Sequence, residues 1–210
     1  MNRLEYVLPQ DIEKRSFQII SEELETLKIV LPPENADVIM RCIHTSADFD
    51  YAGTLCFSKD AVAVARQLLQ EGADIVTDTN MAKTGINKKA IEKFGCSVHC
   101  FMADDEIAAE AKERGLTRAY VSMEHASRLG KKIIFAVGNA PTALVALKEL
   151  MDCKKFSPDF IIGVPVGFVN VVQAKELIME SSVPYIVNRG RKGGSNIAAA
   201  IVNALSYGIR

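Results

Sequence analysis

Apolar residues change their spacing along the chain, and the spacing predicts the elements. From Asp11 to Ile29 they fall at Ile12, Phe17, Ile20, Leu24 and Leu27, close to one face of a helix. Pro32 and Pro33 interrupt that pattern, and Asn35 to His44 reads as a second helix with Val38, Ile39, Cys42 and Ile43 inward. A short strand is predicted over Thr54–Phe57. Ser58 suits the N-cap of a helix that runs to Glu71 and stops at Gly72.

Beyond Gly72 short β-branched runs alternate with helical ones. Strands are predicted over Asp74–Thr77, Ser97–Phe101, Lys132–Val137, Phe160–Val164 and Tyr185–Asn188. Helices are predicted over Lys88–Phe94, Asp104–Leu129, Thr142–Asp152, Val169–Ser182 and Ser195–Ser206, the second with a kink or restart after Gly115. The rhythm predicts one α/β domain over residues 1–210: a mainly parallel sheet covered on both faces, with the first 50 residues as an N-terminal helical extension.

Composition narrows the partners. A net charge of −1 gives no general attraction to nucleic acid or to an anionic membrane, so neither is an expected partner, and any pull on an anion must be local. The five cysteines are odd in number and form no Cys-x-x-Cys pair, which suits reduced thiols in a cytoplasmic protein. Met1–Asp11 lacks the basic-then-apolar order of a secretory leader, and no run approaches 18 apolar residues.

In a doubly wound sheet, ligands bind beyond the carboxyl ends of the strands. Three predicted strand ends lead into Gly138-Asn139-Ala140-Pro141-Thr142, Gly163-Val164-Pro165-Val166-Gly167-Phe168 and Arg189-Gly190-Arg191-Lys192-Gly193-Gly194-Ser195. Glycine admits a ligand close to the backbone amides, helix N-termini favour anions, and the last loop adds three cations. Any one of these loops also reads as an ordinary turn and cap; three at one sheet edge point to a broad site for a large or multiply charged anion. None has the order Gly-x-x-x-x-Gly-Lys-Ser/Thr or Gly-x-Gly-x-x-Gly, which leaves a nucleotide site unsupported.

Single residues carry less. His44 falls near a predicted helix C-terminus, with Asp48 and Asp50 nearby to favour an imidazolium; on pattern alone it serves equally as a C-cap. His99 lies between Cys96 and Cys100, but strand alternation sets both thiols on the opposite face, so no metal site is expected. Arg118 offers a fork to a carboxylate, or is a plain surface arginine. Asp78-Thr79-Asn80-Met81, leading to Lys83-Thr84-Gly85-Ile86-Asn87, is a fourth strand-end loop.

Taken in order, these segments resemble the precorrin-8 methylmutases, or precorrin isomerases, of cobalamin biosynthesis. The likeness runs from Arg15-Ser16-Phe17 through Arg41-Cys42-Ile43-His44, Asp78 to Asn87 and Thr117-Arg118. It is strongest over Gly138–Leu144, Gly163–Val169 and Gly190–Ser195. The resemblance implies a flavodoxin-like three-layer fold, a homodimer with the site near the subunit interface, and a methyl shift from C11 to C12 of a corrin precursor. It implies no cofactor, any cobalt belonging to the substrate. It implies that His44 acts on the ring, and that Ser16, Asn87, Arg118 and the loop of Arg191, Lys192, Gly193, Gly194 and Ser195 surround it. Gly138 and Asn139 join that set as strand-end residues, and Met81, Val166 and Phe168 as apolar contacts for the ring face. Two rivals use the same loops: a non-catalytic corrinoid carrier, and a sugar-phosphate or nucleotide enzyme on the same scaffold.

Overall fold

The structure is a computed structural model that describes residues 4–209; the first three residues of the stretch read for a leader lie outside that range. A 3-10 turn at Pro9–Asp11 leads into α1 (Ile12–Thr26), α2 (Ala36–Ser46) and the short α3 (Tyr51–Thr54). Then come β1 (Leu55–Phe57), α4 (Ala61–Gln70), β2 (Asp74–Thr77), α5 (Asn80–Gly85), α6 (Lys88–Glu92) and β3 (Val98–His99). The rest alternates: α7 (Asp105–Arg114), α8 (Arg118–Ala126), β4 (Ile133–Val137), α9 (Pro141–Asp152), β5 (Phe160–Gly163), α10 (Val171–Met179), β6 (Tyr185–Asn188) and α11 (Ser195–Tyr207).

The sheet order is β1-β6-β5-β4-β2-β3, with β1 antiparallel to β6 and every other pair parallel. The five parallel strands therefore follow the doubly wound order two-one-three-four-five, with the reversal between β2 and β4. Strand alternation divides the core. Ile75, Ile134, Ala136, Phe160, Ile162 and Ile186 face α1, α2, α4, α5 and α11. Val76, Ile133, Phe135, Val137, Ile161 and Val187 face α8, α9 and α10. Buried on both faces, the central strands read as unbroken apolar runs, which is why the sequence displays them so clearly.

The helical N-terminal stretch is present, and its second helix also packs on the sheet: Val38, Ile39, Cys42 and Ile43 are at most 1% exposed and belong to the same core. Two expectations change. The long helix predicted over 104–129 is two helices, because Gly115 takes φ +64° and Thr117 caps the restart by accepting from the Tyr120 amide. Ser58 caps nothing with its side chain; its Oγ accepts the Tyr185 amide at 2.9 Å, and α4 starts after Asp60.

Candidate active site

Strand polarity gathers four loops on one rim: residues 78–81 after β2, 138–141 after β4, 164–170 after β5 and 189–195 after β6. The crevice between β2 and β4 is where a doubly wound sheet leaves room for a ligand. Here a side chain fills it. Asp78 has no exposed surface, and its Oδ1 accepts the Gly138 amide at 2.8 Å. Its Oδ2 accepts the amides of Asn139 at 2.8 Å and Ala140 at 2.6 Å. Burial pushes this carboxyl above the usual aspartate value, and the three amides pull it back. These amides, expected to meet a ligand anion, are already bonded.

The loop after β6 is built the other way. The Lys175 side chain, wholly buried on α10, donates from Nζ to the carbonyls of Gly190 and Lys192, each at 2.8 Å. Asn188 Nδ2 donates to the Lys192 carbonyl as well, at 2.8 Å, while Thr54 Oγ1 donates to Asn188 Oδ1 at 2.7 Å. Ser195, nearly buried, shares a 2.8 Å hydroxyl contact with Thr79, the N-cap of α5. Burial pulls the Lys175 ammonium down to about 8.

The glycines are explained by loops touching loops. A Cβ on Gly138 would lie 2.6 Å from the Ser195 Cα, and one on Gly193, where φ is +156°, would overlap the Val164 carbonyl oxygen. Their open sides meet protein backbone rather than empty space for a ligand.

Around this scaffold the rim is apolar. Met81, Phe168 and Val169 are exposed by 70% or more, and Val166 by about half. Of the three cations expected in the last loop, Arg189 pairs with Glu176, and Lys192 is held 2.6 Å from both Asp48 and Asp50, which raise its affinity for a proton. Arg191 makes no ion pair among the described residues, and its guanidinium sits 5.5 Å from the Phe168 ring centre. Arg118 is exposed at the start of α8, and Thr117 beside it bonds Thr142 of α9 at 2.8 Å, which places that arginine by the Asn139 loop.

His44 is exposed near the end of α2 and stacks on Phe17, ring centres 5.2 Å apart. It shares a cleft of about 310 Å³ with Ser16, Ile20, Ala47 and Phe49. Asp48 and Asp50, expected to favour its cationic form, turn onto Lys192 instead, and so tie the segment after α2 to the rim. Asn87 is elsewhere on the flank. Its side chain caps α6 and donates from Nδ2 to the Tyr207 hydroxyl at 3.0 Å, and its backbone N–H donates to Asn203 Oδ1 at 2.8 Å. Asn203 is eight residues down α11 from Ser195, a rise of roughly 12 Å, so one chain does not bring Asn87 to the rim. Met81, Arg118, Gly138, Asn139, Arg191, Lys192, Gly193, Gly194 and Ser195 do gather there.

His99 Nε2 bonds Asp74 at 3.1 Å and Cys96 Sγ donates to the Leu69 carbonyl; among the described residues no three such ligands converge. Sequence reading missed Asp78 as an individual, Asn188 and Lys175. Lys175 carried a signal: it shares the buried stripe of α10 with Val171, Ala174 and Ile178, at spacings where only apolar residues are expected.

Comparison with known proteins gives the family and the fold. A family model described as precorrin-8X methylmutase matches residues 11–208. A cobalt-precorrin-8 methylmutase of Priestia megaterium is 40% identical over 200 residues, covering 95% of this chain and 88% of the relative. A precorrin-8X methylmutase of Pseudomonas aeruginosa is 37% identical, covering 94% of each. The crystal structure of a precorrin-8x methyl mutase from Thermus thermophilus superposes with a TM-score of 0.85 at 37% identity, covering 94% of this chain and 96% of that one.

Proposed function

Since this chain belongs to the precorrin-8X methylmutase family, we propose that a precorrin-8 macrocycle lies across the rim with His44 at its edge. The chain is an isomerase of cobalamin biosynthesis. In the reaction a methyl group leaves C11 and bonds C12 of the same ring, giving hydrogenobyrinate, or cobyrinate when the substrate carries cobalt. The product is made of the substrate's own atoms, and this reading calls on no cofactor.

The observation that carries this reading is the tether between the histidine and the rim. His44 precedes Ala47, whose left-handed φ of 53° ends α2, and the next carboxylates pair with Lys192. The segment that follows the imidazole is thereby tied to the loop that carries Arg191, and Phe17 stacks on the ring. Met81, Val166 and Phe168 offer apolar surface to the ring face, while Arg118 and Arg191 suit its acetate and propionate arms. His44 donates a proton or hydrogen bond that favours the electron distribution of the shifted ring.

Further parts of the reading rest on other observations. Leu4, Tyr6 and Val30 are each more than 85% exposed on the N-terminal flank, which supports a homodimer in which a second subunit covers that flank and brings its own Ser16 and Asn87 toward the site. Five free cysteines, with Cys42 pushed up to about 12 by burial, fit a reducing cytoplasm. The whole chain acts as one domain around its single sheet.

Replacing His44 with asparagine tests the assignment. Turnover of precorrin-8, followed by absorbance, is expected to fall by about 10² to 10⁴ with the melting temperature unchanged. Unchanged turnover removes His44 from the chemistry; tight corrinoid binding by the native protein without conversion would make it a carrier.

A further inference from the structure

We infer that Lys175 is a positioning residue for substrate binding: its buried side chain draws two carbonyls of the last loop inward and so turns the Arg191 and Gly193 amides toward the macrocycle's carboxylate arms. The inference rests on the proposed seating of the substrate on the rim. Its geometric basis is independent of that seating. No cis peptide occurs among the described residues, and a trans peptide sets its N–H opposite its C=O. With the Gly190 and Lys192 carbonyls on Lys175 Nζ, the next two N–H groups must point away from it. Neither finds an acceptor among the described residues, although the neighbouring Gly194 amide is bonded to the Val164 carbonyl at 2.9 Å.

The site is built rather than incidental. A wholly buried lysine is costly unless its donors are satisfied, and no carboxylate pairs with this one among the described residues. It is held by main-chain carbonyls alone. Its positive charge stays uncompensated behind the loop and adds to that of Arg191 in front. Because the two carbonyls converge on one Nζ, the two N–H groups diverge on the outer side, where each suits a separate carboxylate oxygen of the macrocycle's arms with the Arg191 fork beside them.

Two measurements test this. In the native enzyme labelled with nitrogen-15, saturation with hydrogenobyrinate should move the Arg191 and Gly193 amide proton resonances downfield. Those of Gly138, Asn139 and Ala140, already on Asp78, should stay in place. In Lys175→Met, hydrogenobyrinate affinity should fall by about tenfold and KM rise by the same factor, with kcat within about twofold, because the lost contacts hold the substrate before and during the shift alike. A lysine that merely stabilised the fold would lower the melting temperature and leave KM alone.

Native Arg191 and Gly193 amides that do not respond to bound product overturn the inference, even if the Lys175→Met protein fails to fold. So does a folded Lys175→Met protein that binds product like the native one. Arg191→Ala separates the two levels. If it weakens product binding while the amides are silent, only the role of Lys175 fails. If it binds normally and no resonance from 190 to 195 moves, the seating on the rim fails with it.

Discussion

Two glycine-containing loops stand side by side on the rim, and buried charges of opposite sign set them facing opposite ways. Between β2 and β4, the Asp78 carboxylate takes the amides of 138–140, so that loop's donors are bonded inward. Beyond β6, the Lys175 ammonium takes the carbonyls of 190 and 192, so the Arg191 and Gly193 amides of that loop point away from it and find no acceptor among the described residues. Similar turn chemistry thus yields one joint bonded inward and one loop with two amides left without an acceptor among the described residues. The sign of the side chain underneath decides which, because a carboxylate accepts only N–H and an ammonium donates only to oxygen.

The strongest way to break this contrast is Asp78→Asn. One carboxylamide cannot accept three amides, so unfolding should become easier by about 4 kcal/mol in a denaturant titration. Product affinity of the molecules still folded should hold, since these amides are already bonded to Asp78 in the native protein. Gly138→Ala attacks the same joint through volume, pressing a methyl on the Ser195 backbone, and should cost about 3 kcal/mol by the same assay. On the open side, Arg118→Ala should leave the melting temperature alone and raise KM by about tenfold, the expected loss of one charged fork on a carboxylate. Loss of stability without loss of affinity there would reverse the roles of the two regions.

Smaller effects sharpen the picture. Lys192→Ala releases Asp48 and Asp50, and with them the segment after His44; kcat should fall by about threefold while melting scarcely moves, since exposed ion pairs contribute little stability. The smallest expected signal is in pH dependence. Lys175 binds its proton less readily when folded, at about 8, than its ordinary value of 10.5. Between those values the unfolded chain holds more protons, so stability rises with pH across that window and the gain is lost as pH falls toward 8. Melting curves of native protein and Lys175→Met at pH 8 and pH 10 should therefore diverge in the native protein's favour at the higher pH. A constant difference between them would mean that the amine titrates as it does in water.

Much of the layout was legible from residues in order. Short β-branched apolar runs marked the strands, helical spacing marked their partners, and parallel polarity placed the strand-end loops on one edge. The likeness of successive segments to one family named the chemistry, because motif order survives without coordinates. The pairing of charges was not legible. Nothing in the order of residues says that Asp48 and Asp50 meet Lys192 more than 140 positions away rather than His44 four to six positions away. Nor does it show that Asp78 closes one loop, or that a lysine in an apolar stripe opens another. Helical and strand periods are local and follow from backbone geometry. Which polar groups meet depends on the folding together of distant segments, and that meeting decided which loop amides are bonded inward and which are left without an acceptor among the described residues.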